Sequence, residues 1–120
     1  MLDKILAFIA SFLKKTTTTT TLTPAIGTGS VFVMQFGKVV LVSGQIDTTT
    51  ALANGDILVT GLPLAKVNNA LFVMTNNNSS SEFVKHAYLN NENNEGRLRH
   101  SGTAAAASRS FRISFAYIAF

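Results

Sequence analysis

The sequence predicts an all-β fold, an antiparallel sandwich or barrel preceded by one short amphipathic helix, and three observations carry this. From Ser30 onward, short apolar runs are punctuated by Gly, Asn and Ser at the spacing of antiparallel strands. No helical period reappears in that stretch. The chain then closes on Phe111, Ile113, Phe115 and Tyr117 alternating with Arg112, Ser114 and Ala116, the period of a strand with one buried face.

The helix is the first element. Over residues 2–15, Leu2, Ile5, Ile9 and Phe12 fall at a and d heptad positions, and Leu6 and Leu13 widen the stripe. Asp3 lies in the first turn and Lys14 and Lys15 in the last, each sign complementing the helix dipole. About four turns is marginal for an isolated helix in water, so the stripe needs a partner. Self-association or docking onto another protein of an assembly is the leading expectation, and a helix lying on a membrane surface or folded back on its own domain are the alternatives. The apolar stretch ends in two lysines and a threonine run, without the cleavage site of a signal peptide, and is too short to span a bilayer.

Next comes Thr16 to Thr21, then Leu22-Thr23-Pro24. β-branched residues and proline favour extended chain over continued helix, so residues 16–29 read as an extended linker between the helix (1–15) and a β-domain (30–120). Within that domain, strands are expected near 30–36, 38–46, 56–62, 70–75, 83–90, 95–100 and 109–119. Gly37 marks a tight turn and Asn54-Gly55 supplies positive-φ turn chemistry. Ile118 and Phe120 place apolar side chains on the second face of the last strand. Phe115, Tyr117, Ile118 and Phe120 therefore join Leu2, Ile5, Ile9 and Phe12 as the expected oligomerisation residues.

Composition narrows the function classes. The chain has 120 residues, room for one domain, and only 13% of them are charged, the deficit being filled by Thr, Ser and Asn. That balance suits extracellular or virion β-proteins better than cytosolic enzymes. Net charge is +4, but the ten Lys and Arg are scattered and not interleaved with aromatics, so no nucleic-acid groove is expected. With no cysteine, disulfides and thiolate chemistry are excluded.

A catalytic reading finds little to stand on. His86 and His100 lie in no nucleophile–base motif; His86 reads as a satisfied, partly buried strand residue and His100 as solvated or in contact with an anionic ligand. The six acids form no arguable pair, and the Asn90–Gly96 turn lacks the acidic spacing of a calcium loop, so neither an enzyme nor a metal site or cofactor is expected. Binding is a better match. Amide side chains in the loops at 76–81 and 90–94 can meet sugar hydroxyls as donors and acceptors, with Tyr88 or Phe83 as a stacking surface. Counting alternate turns puts the 36–38, 63–69 and 91–94 loops at one end of the strands and the 47–55 and 76–82 loops at the other. With the chain entering at residue 30, the first end is distal. The receptor-binding candidates are thus Asn90, Asn91, Asn93 and Asn94, helped by Asn68, Asn69, Tyr88 and Arg97.

The stretch Phe36-Gly37-Lys38-Val39-Val40-Leu41-Val42-Ser43-Gly44-Gln45-Ile46, followed by Ile57-Leu58-Val59-Thr60-Gly61-Leu62-Pro63 and the terminal aromatic strand Phe111 to Phe120, resembles the head domain of bacteriophage tail-fibre and baseplate receptor-binding proteins. The resemblance covers about 90 residues through short motifs. It implies a jelly-roll-like sandwich, homotrimers, a place on the virion at tail or capsid surface, contact with other virion proteins through the helix, and a host-surface saccharide or protein as ligand. Two departures stand beside it: a short helix and linker replace a long shaft, and Leu62-Pro63 runs on into Leu64-Ala65-Lys66. A capsid decoration or head-fibre protein on the same fold is the alternative, and a membrane-surface protein the further one.

Overall fold

A computed structural model describes residues 1–76 and 84–120, with side chains outside 11–16. The chain is all-β behind one helix, α1 (Leu2–Thr16). Eight strands follow: β1 (Thr17–Leu22), β2 (Thr28–Phe36), β3 (Val39–Asp47), β4 (Ile57–Leu62), β5 (Ala70–Asn76), β6 (Val84–Glu92), β7 (Glu95–Ser101) and β8 (Ser110–Ile118). All seven expected strands are present within a few residues, although residue 83 lies outside the described residues.

The strands form one antiparallel sheet in the order β1-β2-β3-β8-β5-β6-β7-β4, rolled so that its ends approach one another. The meander β5-β6-β7 with β4 returned beside β7 is a Greek-key connection. At the seam, the Ala25 N–H donates to the Leu58 carbonyl at 2.8 Å, and Leu22 sits 3.7 Å from where a Cβ on Gly61 would lie. Gly61 adopts φ 81°, which a side chain disfavours, and β4 shifts register twice against β7. That irregularity turns the adjacent Leu58 and Val59 both inward. Gly44 serves the opposite side of the roll: a Cβ there would lie 2.4 Å from the Ser30 carbonyl oxygen, so only glycine lets β2 and β3 bend together.

Alternate residues fill the interior. Val31 and Val33, Val40, Val42 and Ile46, Leu89 and Leu98, and Phe111 and Ile113 are buried, each worth about 1.5–3 kcal/mol if fully removed from water. Two loop systems close the ends. Residues 48–56 pair with 101–109 through Leu52 and Ala105 and through Thr48 with Arg109, while residues 63–69 bond to the C-terminus through Lys66 to Ile118 and Phe120 to Leu64.

The threonine run corrects the linker expectation. It is extended, as β-branching requires, but Thr17–Leu22 pairs along its whole length with Val31–Phe36. The sheet therefore begins at Thr17, not at Ser30. Its side chains are exposed apart from half-buried Thr17 and Leu22, so main-chain pairing rather than apolar alternation makes it a strand.

This added strand also reverses an expectation of orientation. The turn count is right: the 36–39 turn, the 63–69 loop and the 92–95 turn share one end. The helix, however, joins β1 at Thr17, opposite Phe36, so it leaves from that same end. The asparagine end is proximal to the helix, and the end with the 48–56 and 101–109 loops is distal.

Candidate functional site

The period of 2 that buries one face of β2, β3 and β8 leaves a second set of side chains pointing out. Across these strands the register aligns Phe36 with Val39 and Ile118, Met34 with Leu41 and Ala116, Phe32 with Ser43 and Ser114, Ser30 with Gln45 and Arg112, and Thr28 with Asp47 and Ser110. The proximal rows are apolar and exposed, with Ile118 at 52% and Leu41 at 46%, while the distal rows are polar. Leu71 and Val73 on β5 extend the apolar field past β8. A contiguous exposed surface of this kind exceeds the scattered single apolar residues of an ordinary protein exterior.

The helix adds to it. Leu2, Ile5, Leu6, Phe8 and Ile9 are all exposed, so the described part of the stripe is not buried against its own domain. Since α1 runs directly into Thr17 beside Phe36, helix stripe and apolar sheet rows meet at one end of the molecule. Of the expected oligomerisation residues, Leu2, Ile5, Ile9, Ile118 and Phe120 are exposed, and the side chain of Phe12 lies outside those described. Phe115 and Tyr117 are corrected to core positions. Tyr117 is 9% exposed and donates its hydroxyl proton to the Pro63 carbonyl at 2.8 Å, and Phe115 stacks on Phe72 at 4.2 Å. Burial pushes the Tyr117 phenol well above its usual range, keeping it a neutral donor. The alternation places these two rings inward, and only the even-numbered residues of β8 face out.

The asparagines serve the fold before any ligand. Asn91 bonds both main-chain groups of Ala65, and its own N–H donates to Asn68 Oδ1 at 2.9 Å. Asn90 accepts from Arg99, and Asn69 takes φ 63° in the loop where its N–H reaches the Leu89 carbonyl. Asn93 and Asn94 form the β6–β7 turn with positive φ and exposed side chains, leaving them the free members of the set. Arg97 pairs with Glu95 at 3.0 Å and Glu92 at 3.6 Å, and Arg99 also reaches Glu92, which holds the Glu92 carboxyl below its ordinary range. Tyr88 is half-exposed beside Leu71 and Arg99. The 77–81 part of the other asparagine loop, and Phe83, lie outside the described residues; Asn76 is buried.

Both histidine readings reverse. His86 is exposed on the outer face, whereas His100 is fully buried. Its Nδ1 lies 3.0 Å from the Ala53 carbonyl, which can only accept, so Nδ1 carries the proton and Nε2 has no partner. Among the described residues no three His, Asp or Glu side chains gather as metal ligands, and no helix is long and apolar enough to cross a membrane.

Sequence reasoning missed the distal polar rows and most of the outer apolar face. The signal was present: Val31 to Met34 and Val39 to Val42 are apolar at both parities, which a strand with one wet face would not be. No protein-family model, curated protein or solved structure matches the chain.

Proposed function

We propose that the protein is a non-catalytic structural component that works as a homotrimer, gathers its copies at the helix end, and presents its far end to a surface ligand, in the manner of the phage tail-fibre heads its motifs resemble. The observation that supports this reading is the meeting of two unpartnered apolar surfaces at one end, the α1 stripe and the outer rows Phe36–Val39–Ile118 and Met34–Leu41–Ala116. Their continuity lets a helical stem pass its apolar seam directly onto the sheets it joins. Light scattering with sedimentation on the intact chain tests it. A trimer at micromolar concentration is the expected result; a monomer removes the assembly reading, and a dimer removes the three-fold fibre analogy.

A further inference from the structure

The outer face changes character at Phe32. Proximal to it the side chains are apolar; distal to it β2, β3 and β8 present Ser30, Ser43, Gln45, Asp47 and Arg112 around an open dish of about 460 Å³, with Phe32 on its wall. Phe32 is 57% exposed, a bare aromatic ring at the edge of a hydrogen-bonding field.

That field is pre-arranged. The Gln45 amide donates to both Asp47 oxygens, at 2.8 and 3.0 Å, and to Ser110 Oγ at 3.1 Å, while Arg112 Nη1 donates to the same hydroxyl at 3.3 Å. The Gln45 nitrogen is thus committed, which leaves its carbonyl oxygen as an acceptor. The carboxylate keeps acceptor capacity beyond these bonds, and the guanidinium keeps several N–H donors. Hydrogen bonds to Asp47 hold it below its ordinary value, so it is ionised at neutral pH. All these groups stand on three paired strands in the middle of the sheet, which fixes them more firmly than loops would.

We propose that this dish is a binding site for a neutral pyranose ring, the apolar C–H face of the sugar lying on Phe32 and its vicinal hydroxyls bonded by Asp47, Gln45, Arg112 and the serines. A pyranose is the ligand class with this division: one face of C–H groups for an aromatic ring, and a rim of hydroxyls that donate to a carboxylate and accept from a guanidinium. A purely ionic ligand would leave Phe32 unused, and an apolar one would strand Asp47 and Arg112 without partners. The proposal names the ligand of the far end and rests on the assembly reading only in leaving that end open. It also moves the site away from Asn90 to Asn94, which stand at the helix end.

The test is titration of the intact protein with glucose, galactose, mannose, N-acetylglucosamine and their short oligomers, followed by amide shifts and calorimetry, with light scattering in parallel. Saturable binding by at least one sugar is expected, with shifts centred on residues 30–32, 43–47 and 112. Phe32→Ala and Asp47→Asn should each weaken it tenfold or more with oligomeric state unchanged. Both are surface positions, and a circular dichroism melt confirms that each variant folds. Absence of binding up to tens of millimolar, or binding indifferent to both substitutions, overturns the site. A monomeric protein that still binds sugar at Phe32 would sink the assembly reading and leave this one standing.

Discussion

The side chain of Asn91 stands in for a strand partner of Ala65: its Oδ1 accepts from the Ala65 N–H at 2.8 Å and its Nδ2 donates to the Ala65 carbonyl at 2.9 Å. Ala65 is buried, so nothing else would satisfy these groups if the amide were removed. Asn91→Ala should therefore lower stability by about 2–4 kcal/mol in urea unfolding, two lost hydrogen bonds together with two stranded main-chain groups. Asn91→Asp should be almost as damaging, because its second oxygen would face the Ala65 carbonyl. A loss below about 0.5 kcal/mol for the alanine variant would show that the 63–69 loop closes the barrel without this clasp.

Acid should destabilise the fold through two carboxylates. Hydrogen bonds from Ser110 and Gln45 depress Asp47 below its ordinary 3.8, and the Arg99 hydrogen bond depresses Glu92 below its ordinary 4.5. A group depressed in the folded state adds stability above its unfolded value and loses it as pH falls through the folded one. Urea midpoints should accordingly be flat from pH 7 to 5 and decline below about pH 4.5. Both groups are only half-buried and reach solvent, so the decline is shallow and weaker still in high salt. The double variant Asp47→Asn with Glu92→Gln should flatten it, and an unchanged slope would assign the acid sensitivity to other groups.

Among the described residues, the one buried side-chain nitrogen or oxygen without a hydrogen-bond partner is Nε2 of His100. His100→Phe fills similar volume, removes an unsatisfied acceptor and gives up one bond to Ala53, two effects of about 1–3 and 1 kcal/mol with opposite sign. Near-neutral stability is expected, within about 1 kcal/mol, whereas His100→Ala should cost about 2–4 kcal/mol through the cavity it leaves. Thermal melts of both variants decide this, and a Phe variant as damaged as the Ala variant would show that the Ala53 bond is essential.

These cases mark where the sequence was informative. Strands β2 to β8 were legible because period-2 apolar runs and Asn-Gly or Gly turns report burial and reversal directly. β1 was not, because Thr17 to Thr21 carries no apolar alternation and owes its place to main-chain bonds with Val31–Phe36, a partner no local pattern can name. One unseen strand was enough to move the helix to the opposite end of the molecule. For the candidate site, Ile118 and the helix stripe were legible as excess apolar surface. Tyr117 was misplaced because both faces of the last strand looked apolar, and Asn91 because an exposed-looking amide gives no sign of the backbone it will clasp. The two rows Gln45–Arg112 and Asp47–Ser110 depend on β3 lying beside β8, which brings Gln45 to the Ser110 hydroxyl across 65 residues of chain.

Removing residues 1–16 should leave a folded β-domain, since the described part of α1 buries nothing in it, and should dissociate the proposed trimer. Removing 1–22 takes β1 as well. That uncovers the edge of β2 and the contact of Leu22 at the seam, so this shorter chain should be less stable by about 1–3 kcal/mol and more prone to associate along the exposed edge. Equal stability of the two truncations would show that β1 contributes nothing to the sheet. A trimer persisting without residues 1–16 would place the whole interface on the sheet.

Two neighbouring residues of β3 separate assembly from folding. Leu41 and Val42 are adjacent, but Leu41 is 46% exposed in the outer row with Met34 and Ala116, whereas Val42 is 1% exposed in the core. A charge at Leu41 meets water in a monomer, so Leu41→Asp should alter the stability of an isolated chain by about 0.5 kcal/mol or less. In a trimer joined through this face the same carboxylate would be buried without a partner, a cost of several kcal/mol per subunit, and the copies should separate. Val42→Asp should instead unfold the chain, because its charge points into the barrel whatever the oligomeric state. The measurements are light scattering for association and circular dichroism melting for the fold, with Val39→Asp and Ile118→Asp as repeats of Leu41→Asp in the next row. A folded Leu41→Asp monomer beside an unfolded Val42→Asp chain is the expected pair. If the Leu41, Val39 and Ile118 variants all remain trimeric, the outer face of β2, β3 and β8 is not where the copies meet, and the contacts lie along the α1 stripe alone.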